Sequence, residues 1–225
     1  MNKYVMELIG TFFLVLTVGL TVIGGGSGVI PPLAIGSALM IMVFAGGHIS
    51  GGHYNPAVSL GVWLRGKLSS KDLLPYWLFQ LAGALLAALT VNYLRAGVAV
   101  SPITLVRGPA LLAEFLFTFA LVLVVISSAT SKATAGNSFY GLAIGFTVMV
   151  GAFAVGNISG GAFNPAVALG ISFLKISTWS QLWIYWLAEF LGGACAGFAF
   201  LWMSPADKEE RLVAEKAQAA APGSR

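Results

Sequence analysis

Charge is scarce in this sequence. Of 225 residues, 12 are Lys or Arg and 8 are Asp or Glu, together 9%. A soluble domain carries about a quarter, so the composition excludes an ordinary water-soluble fold. Cysteine is almost missing: Cys195 stands alone, which excludes an internal disulfide or a paired-cysteine redox motif. The two histidines, His48 and His53, have no third ligand in sight, so no metal site is expected. A nucleophile–base pair and a phosphate-cradling loop are also lacking. Nothing therefore points to an enzyme, and no cofactor is expected. The net charge of +4 mostly reflects basic residues between apolar segments and implies no nucleic-acid partner.

What the chain has in abundance is apolar length. Hydrophobic residues make up 58% of it and mean hydropathy is +0.88, so the chain is read as an integral membrane protein in contact with the lipid bilayer. Six stretches, near 4–24, 33–50, 73–95, 110–130, 139–156 and 179–203, are long enough to cross, since a spanning helix takes about 20 residues. They are continuous rather than alternating, which excludes an outer-membrane barrel and gives an all-α membrane protein. No small-residue cleavage site follows the first run, so it is expected to be a retained span rather than a removed signal peptide.

One phrase is written twice. Residues 47–61 read GHISGGHYNPAVSLG and residues 156–170 read GNISGGAFNPAVALG. At an offset of 109 they differ only at His48/Asn157, His53/Ala162, Tyr54/Phe163 and Ser59/Ala168. Asparagine is a good helix N-cap and proline suits the first helical position. Each copy therefore reads as a Gly-rich loop entering a short helix, at about 55–64 and 164–174. Runs of ~10 residues reach only halfway across the hydrocarbon. Irregular backbone is tolerated at that depth only when buried in protein or lining a water-filled cavity, and this favours a pore.

The repeat extends further. LAIG at 33–36 recurs at 142–145, YWL at 76–78 recurs at 185–187, and MELIGTFFLVL at 6–16 is echoed by AEFLFTFALVL at 113–123. Residues 1–203 thus read as one domain made of two halves, about 3–95 and 110–203, each of three spans and a half-helix. Three spans is an odd number, so the halves are inverted and the two half-helices meet tip to tip at the midplane. Both termini lie on one side, with Lys3, Arg65, Lys67, Lys71, Lys132, Lys208, Arg211, Lys216 and Arg225; only Arg95, Arg107 and Lys175 lie on the other. The positive-inside bias puts the termini in the cytoplasm of a cell (inner or plasma) membrane. Residues 204–225 read as a charged tail, exposed and partly helical or disordered.

Two Asn-Pro-Ala triplets in inverted halves of six spans resemble the aquaporin (major intrinsic protein) family. The likeness covers roughly residues 3–203 and includes SGGHYNPAV at 50–58, Glu7, Glu114 and Gln80. It implies six tilted helices and two re-entrant half-helices around one pore per subunit, assembled as a homotetramer. It also implies that Asn55, Pro56 and Ala57 meet Asn164, Pro165 and Ala166 at the pore centre. There the asparagine amides donate hydrogen bonds to a passing molecule, and the half-helix N-termini, each worth about half a positive charge, repel cations. The simpler alternative is that each asparagine is only an N-cap.

In this family a second constriction lies toward the outer mouth, and its positions fall on Ile35, Ala152, Gly161 and Val167. Water-selective relatives place an aromatic, a histidine, a small residue and an arginine there; this chain has no aromatic or charged member, and valine replaces the arginine. The resemblance therefore implies passive passage of water and small uncharged solutes such as glycerol, urea, ammonia, hydrogen peroxide or neutral metalloid acids through a wide apolar filter. One alternative is a water-selective pore in which Phe153 or Phe163 fills the gap. His53, Tyr54 and Phe163 are further candidates for the pore wall, His53 at the cytoplasmic vestibule.

Glu7 and Glu114, at equivalent places in the two halves, are expected to accept backbone N–H bonds from the half-helix loops. Glu189 holds the repeat position of Gln80 and is expected to brace the second loop in the same way. A proton-coupled transporter using Glu189 and a closed junctional scaffold are rival readings. Gly161 holds the place where relatives often carry a mercury-sensitive cysteine, so mercury is expected to block weakly.

Overall fold

The computed structural model describes residues 1–24 and 28–220. The chain is helical: α1 (Asn2–Val22), α2 (Ile30–Ser50), α3 (Pro56–Leu64), α4 (Ser70–Leu94), α5 (Arg107–Ala129), α6 (Tyr140–Ser159), α7 (Pro165–Phe173), α8 (Leu182–Met203) and α9 (Pro205–Ala220). α1, α2, α4, α5, α6 and α8 are long and apolar enough to cross a membrane. α3 and α7 have 9 residues each and cannot.

Local chemistry moves several boundaries by a few residues. α2 begins earlier than expected because Pro31 and Pro32 sit in its first turn, where a missing N–H costs nothing. α4 starts at Ser70 because the Ser69 side chain accepts from the Lys71 amide. α6 runs to Ser159, until Gly160 stops it with left-handed φ of 90°, as Gly51 stops α2.

Small residues set the crossings, as is usual where lipid supplies no hydrophobic drive between helices. A Cβ on Gly83 (α4) would collide with the Leu8 carbonyl of α1, and its repeat-mate Gly192 (α8) faces the Phe115 carbonyl of α5 in the same way. Gly36 and Gly145 close the α2–α6 crossing between the halves. The half-helices are exchanged: α3 packs chiefly on α8, and also on α4 and α5, while α7 packs on α4, α8 and α1. Each half-helix thus lies against spans of the opposite half. Large apolar side chains such as Ile41, Leu78, Leu89 and Phe198 stay exposed on the outer surface, the face a bilayer covers.

The tail departs from expectation. Residues 221–225 lie outside the described residues, but α9 does not hang free. Arg65, which caps the C-terminus of α3 and has 0% exposure, donates from Nη2 to Asp207 Oδ1 at 2.6 Å and to Glu210 Oε2 at 3.0 Å. Lys67 binds Glu210 at 2.7 Å, Ser131 donates to Asp207 at 2.8 Å, and Arg211 donates to the Leu64 carbonyl. A buried guanidinium demands anionic partners, and α9 supplies them. Burial pushes the Asp207 carboxyl upward, but hydrogen bonds from Ser131 and the Lys132 amide and the Arg65 charge outweigh it and hold it below its ordinary value of 3.8. A depressed value means that the contribution is present at neutral pH and is lost as acid protonates the group, so docking of α9 weakens below that value.

Asp207→Ala removes charged hydrogen bonds worth about 1.5–3 kcal/mol, which raises the undocked population of α9 roughly tenfold or more. Limited proteolysis within residues 205–220 measures it, and an unchanged cleavage rate would show that Asp207 does not hold the helix.

Candidate functional site

The two repeated phrases build one structure, taken twice. After the left-handed stop at Gly51 the chain passes Gly52 (φ 64°) and then Tyr54 (φ 49°); the second copy passes Gly161 (φ 66°) and Phe163 (φ 50°). Left-handed backbone is uncommon for a residue with a side chain and costs on the order of 1–3 kcal/mol where it is strained. Carboxylates hold both loops in place. Glu7 Oε1 accepts the His53 N–H at 3.0 Å and the Ser50 hydroxyl at 2.6 Å, and Oε2 accepts the Tyr54 N–H at 2.6 Å. In the second half Glu114 accepts the Ala162 N–H at 3.1 Å and the Phe163 N–H at 2.7 Å.

Aromatic donors on α4 and α8 also repeat at the offset of 109. Tyr76 donates to the Ser50 carbonyl at 2.7 Å and Tyr185 to the Ser159 carbonyl at 2.6 Å. Trp77 and Trp186 each donate from Nε1 to the proline carbonyl of a triplet, Pro56 and Pro165, at 3.0 Å. The repeated YWL string carried this signal, since its first two residues are the two donors. Its role was not legible because the acceptors lie 21–26 positions away in sequence.

The triplets meet. Asn55 Oδ1 accepts the amides of Ala57 and Val58, and Nδ2 donates across to the Phe163 carbonyl at 2.8 Å. Asn164 Oδ1 accepts from Ala166 and Val167, and Nδ2 donates to the Tyr54 carbonyl at 2.8 Å. Each asparagine is therefore a cap and a cross-link at once, and the cap fixes which end of its amide is the donor. A primary amide has two N–H groups, so the cross-link uses one per asparagine and leaves one over, beside a cavity that both residues border.

That cavity has a volume of about 600 Å³. Asn55 and Asn164 line it together with Ile35, Ala152, Gly161 and Val167, the four residues expected at the outer constriction. His53 borders it and also a second cavity toward Lys3, Lys67 and Asp72; its Nδ1 lies 3.0 Å from Ser59 Oγ. Among the described residues on the main wall, none is Asp, Glu, Lys or Arg. Glu7, Glu114, Gln80 and Glu189 are all fully buried off the wall.

Tyr54 and Phe163 correct the sequence reading. Their carbonyls face the asparagines, but their rings do not line the cavity. The Tyr54 ring fills the space left by Gly10 and Gly46, and its hydroxyl donates to the Met42 carbonyl at 2.9 Å. The Phe163 ring lies over Gly151 and 5.4 Å from Phe117, so it cannot fill the gap beside Val167. Phe153 does border the cavity, with 49% of its surface exposed. Sequence reasoning missed Asn157, Ser101, Ile103 and Ile176 on the wall. The last two are joined by an Ile103 N–H to Ile176 carbonyl bond of 2.9 Å, and a pairing between two loops leaves no local pattern. Cys195 is exposed on α8 and not on the wall.

Glu7→Leu strands the amides of His53 and Tyr54, each worth about 1–3 kcal/mol when left buried and unpaired. It should abolish the folded, monodisperse protein in detergent, whereas Glu7→Gln, which keeps an acceptor, retains a measurable folded fraction by size-exclusion chromatography. Equal yields of Glu7→Leu and wild type would contradict the bracing role.

Comparison with known proteins agrees with this geometry. A family model, Major intrinsic protein, matches residues 2–200. The chain is 32% identical over 227 residues to "Probable aquaporin NIP4-2" of Arabidopsis thaliana, covering 96% of this chain and 79% of the relative. It is 35% identical over 208 residues to "Glycerol uptake facilitator protein-like 6" of Lactiplantibacillus plantarum, covering 88% and 96%. The X-ray structure of the aquaglyceroporin from Plasmodium falciparum matches with a TM-score of 0.76 at 22% identity, over 88% of this chain and 94% of that one, a likeness of fold. The chain belongs to the major intrinsic protein family and is a membrane channel for water and small solutes.

Proposed function

We propose that solutes pass single file through the cavity between the two Asn-Pro-Ala tips, and that an apolar filter at Ile35, Ala152, Gly161 and Val167 sets what is admitted. The observation that carries this reading is the composition of the wall: two oriented asparagine donors in a surface otherwise largely apolar, with no ionisable acid or strong base among the described residues. A cation entering it loses hydration and meets two half-helix N-termini, whereas a neutral hydroxyl compound exchanges hydrogen bonds with Asn55 and Asn164. Val167 presents no guanidinium to narrow the passage or to demand a particular hydrogen-bond pattern. Water, glycerol, urea and similar uncharged molecules are the substrates that fit. The proton-coupled alternative is disfavoured, because Glu189 lies off the wall and its Oε1 is committed to the Asn164 amide at 3.0 Å.

The channel is further proposed to work as a homotetramer in a cell (inner or plasma) membrane, with the α9 end in the cytoplasm. Arg65, Lys67 and Lys132 gather around Glu210 at that end, and the positive-inside bias places such clusters inside.

In proteoliposomes under an osmotic gradient, wild type should speed both water and glycerol flux. Val167→Arg should cut glycerol flux several-fold and water flux less. If both fluxes are unchanged, Val167 is not at the constriction. Mercuric ion should leave wild-type flux nearly intact, since Cys195 is remote from the cavity wall; strong block surviving Cys195→Ser would show another target.

A further inference from the structure

Glu189 sits at the repeat position of Gln80, yet a carboxyl and a primary amide are not chemically equivalent. In the first half Gln80 gives two hydrogens: Nε2 reaches Glu7 Oε2 at 2.8 Å and Ser59 Oγ at 2.9 Å. In the second half Glu114 replaces Glu7 as the first acceptor. The second acceptor is gone, because the counterpart of Ser59 is Ala168. The repeat position of Gln80 therefore has one hydrogen to give rather than two, and a protonated carboxyl has one.

The surroundings point the same way. Both carboxyls have 0% exposure, and they take consecutive N–H groups of one loop, Glu114 those of Ala162 and Phe163 and Glu189 that of Asn164, which brings the two side chains together. Glu189 Oε1 accepts the Asn164 N–H at 3.0 Å, while Oε2 is buried and no N–H or O–H donor reaches it. None of the salt bridges formed among the described residues reaches either group. The other titratable neighbour is Tyr185, whose hydroxyl is committed to the Ser159 carbonyl. Two adjacent anions without a cation are not sustained in a water-poor interior. Two backbone N–H groups support the charge on Glu114, but only one reaches Glu189.

We propose that Glu189 is a neutral, proton-bearing positioning residue. Oε1 accepts the Asn164 N–H, and a hydroxyl on Oε2 donates to the Glu114 carboxylate. One O–H thus does for Glu114 what one N–H of Gln80 does for Glu7. Glu189 touches no solute. It acts through Asn164, whose amide it holds in register with the cavity.

The effect on flux rests on the channel reading, whereas the proton itself does not, and the two are read separately. Purified full-length protein at neutral pH should show the infrared C=O stretch of a buried protonated carboxylic acid, and Glu189→Gln should remove it. In proteoliposomes Glu189→Gln, which keeps one acceptor and one donor, should rescue water permeability to near wild type. Glu189→Leu leaves the Asn164 N–H unpaired and should lower it roughly tenfold, the factor that ~1.4 kcal/mol corresponds to. If the leucine variant does not fold, the glutamine spectrum still decides. Absence of the acid band in wild type, its survival in Glu189→Gln, or a glutamine variant as impaired as the leucine one would overturn the proposal. Wild-type vesicles that fail to swell would instead overturn the channel reading and leave the infrared result standing.

Discussion

Two backbone carbonyls in the middle of an apolar bundle, those of Tyr54 and Phe163, accept hydrogen bonds from the asparagine of the opposite half at 2.8 Å. Much of the structure serves to make that exchange possible. The carbonyls point correctly only because both residues adopt left-handed backbone. The loops keep that conformation because a buried carboxylate takes their N–H groups and leaves few reasons to relax. Water would offer the same N–H groups an alternative partner; hydrocarbon does not. Strain at the tips, charge in the spans and the dry surroundings are thus one connected requirement.

The halves share this frame but not its details, and the differences fall where each half meets something different. Arg65 closes α3 and is clamped by α9, while its repeat-mate Leu174 closes α7 in an apolar cluster with Ile23, Ala88 and Val91. Only one of the two half-helices is therefore tied to the C-terminal helix. His53 and Ser59 make a polar contact beside the first tip, and Ala162 and Ala168 replace them beside the second. Where the first half uses an amide, Gln80, the second uses an acid, Glu189. The symmetric parts build the passage, and the asymmetric parts distinguish its two ends.

Much of the fold was legible before any coordinates. Six spans, two half-helices and the inverted repeat follow from apolar length and a duplicated phrase, and helix ends shifted by a few residues, at α2 and α4 where a proline pair and a cap acted locally. The site was legible in part. Glu7 and Glu114 stand out because a polar residue in a span needs a reason, and Asn55 and Asn164 because their triplet is written twice. Tyr54 and Phe163 misled, since proximity to the triplet does not say which way a ring turns. Their rings went to the spaces left by Gly10, Gly46 and Gly151, an outcome of packing between elements far apart in sequence. The tail misled too: its acids look solvated until Arg65 is seen to be buried beneath them.

The sequence by itself determined membrane residence, the number of crossings, the inverted duplication and the identity of the two donors. All of these depend on composition and on patterns that repeat along the chain. Only the tertiary structure decided which half-helix leans on which spans, that each asparagine bonds a carbonyl of the other half, and that the Glu189 carboxyl rests against Glu114. Those facts depend on backbone polar groups and buried charges finding partners in a medium that offers no water, and such partners are chosen by distance in space.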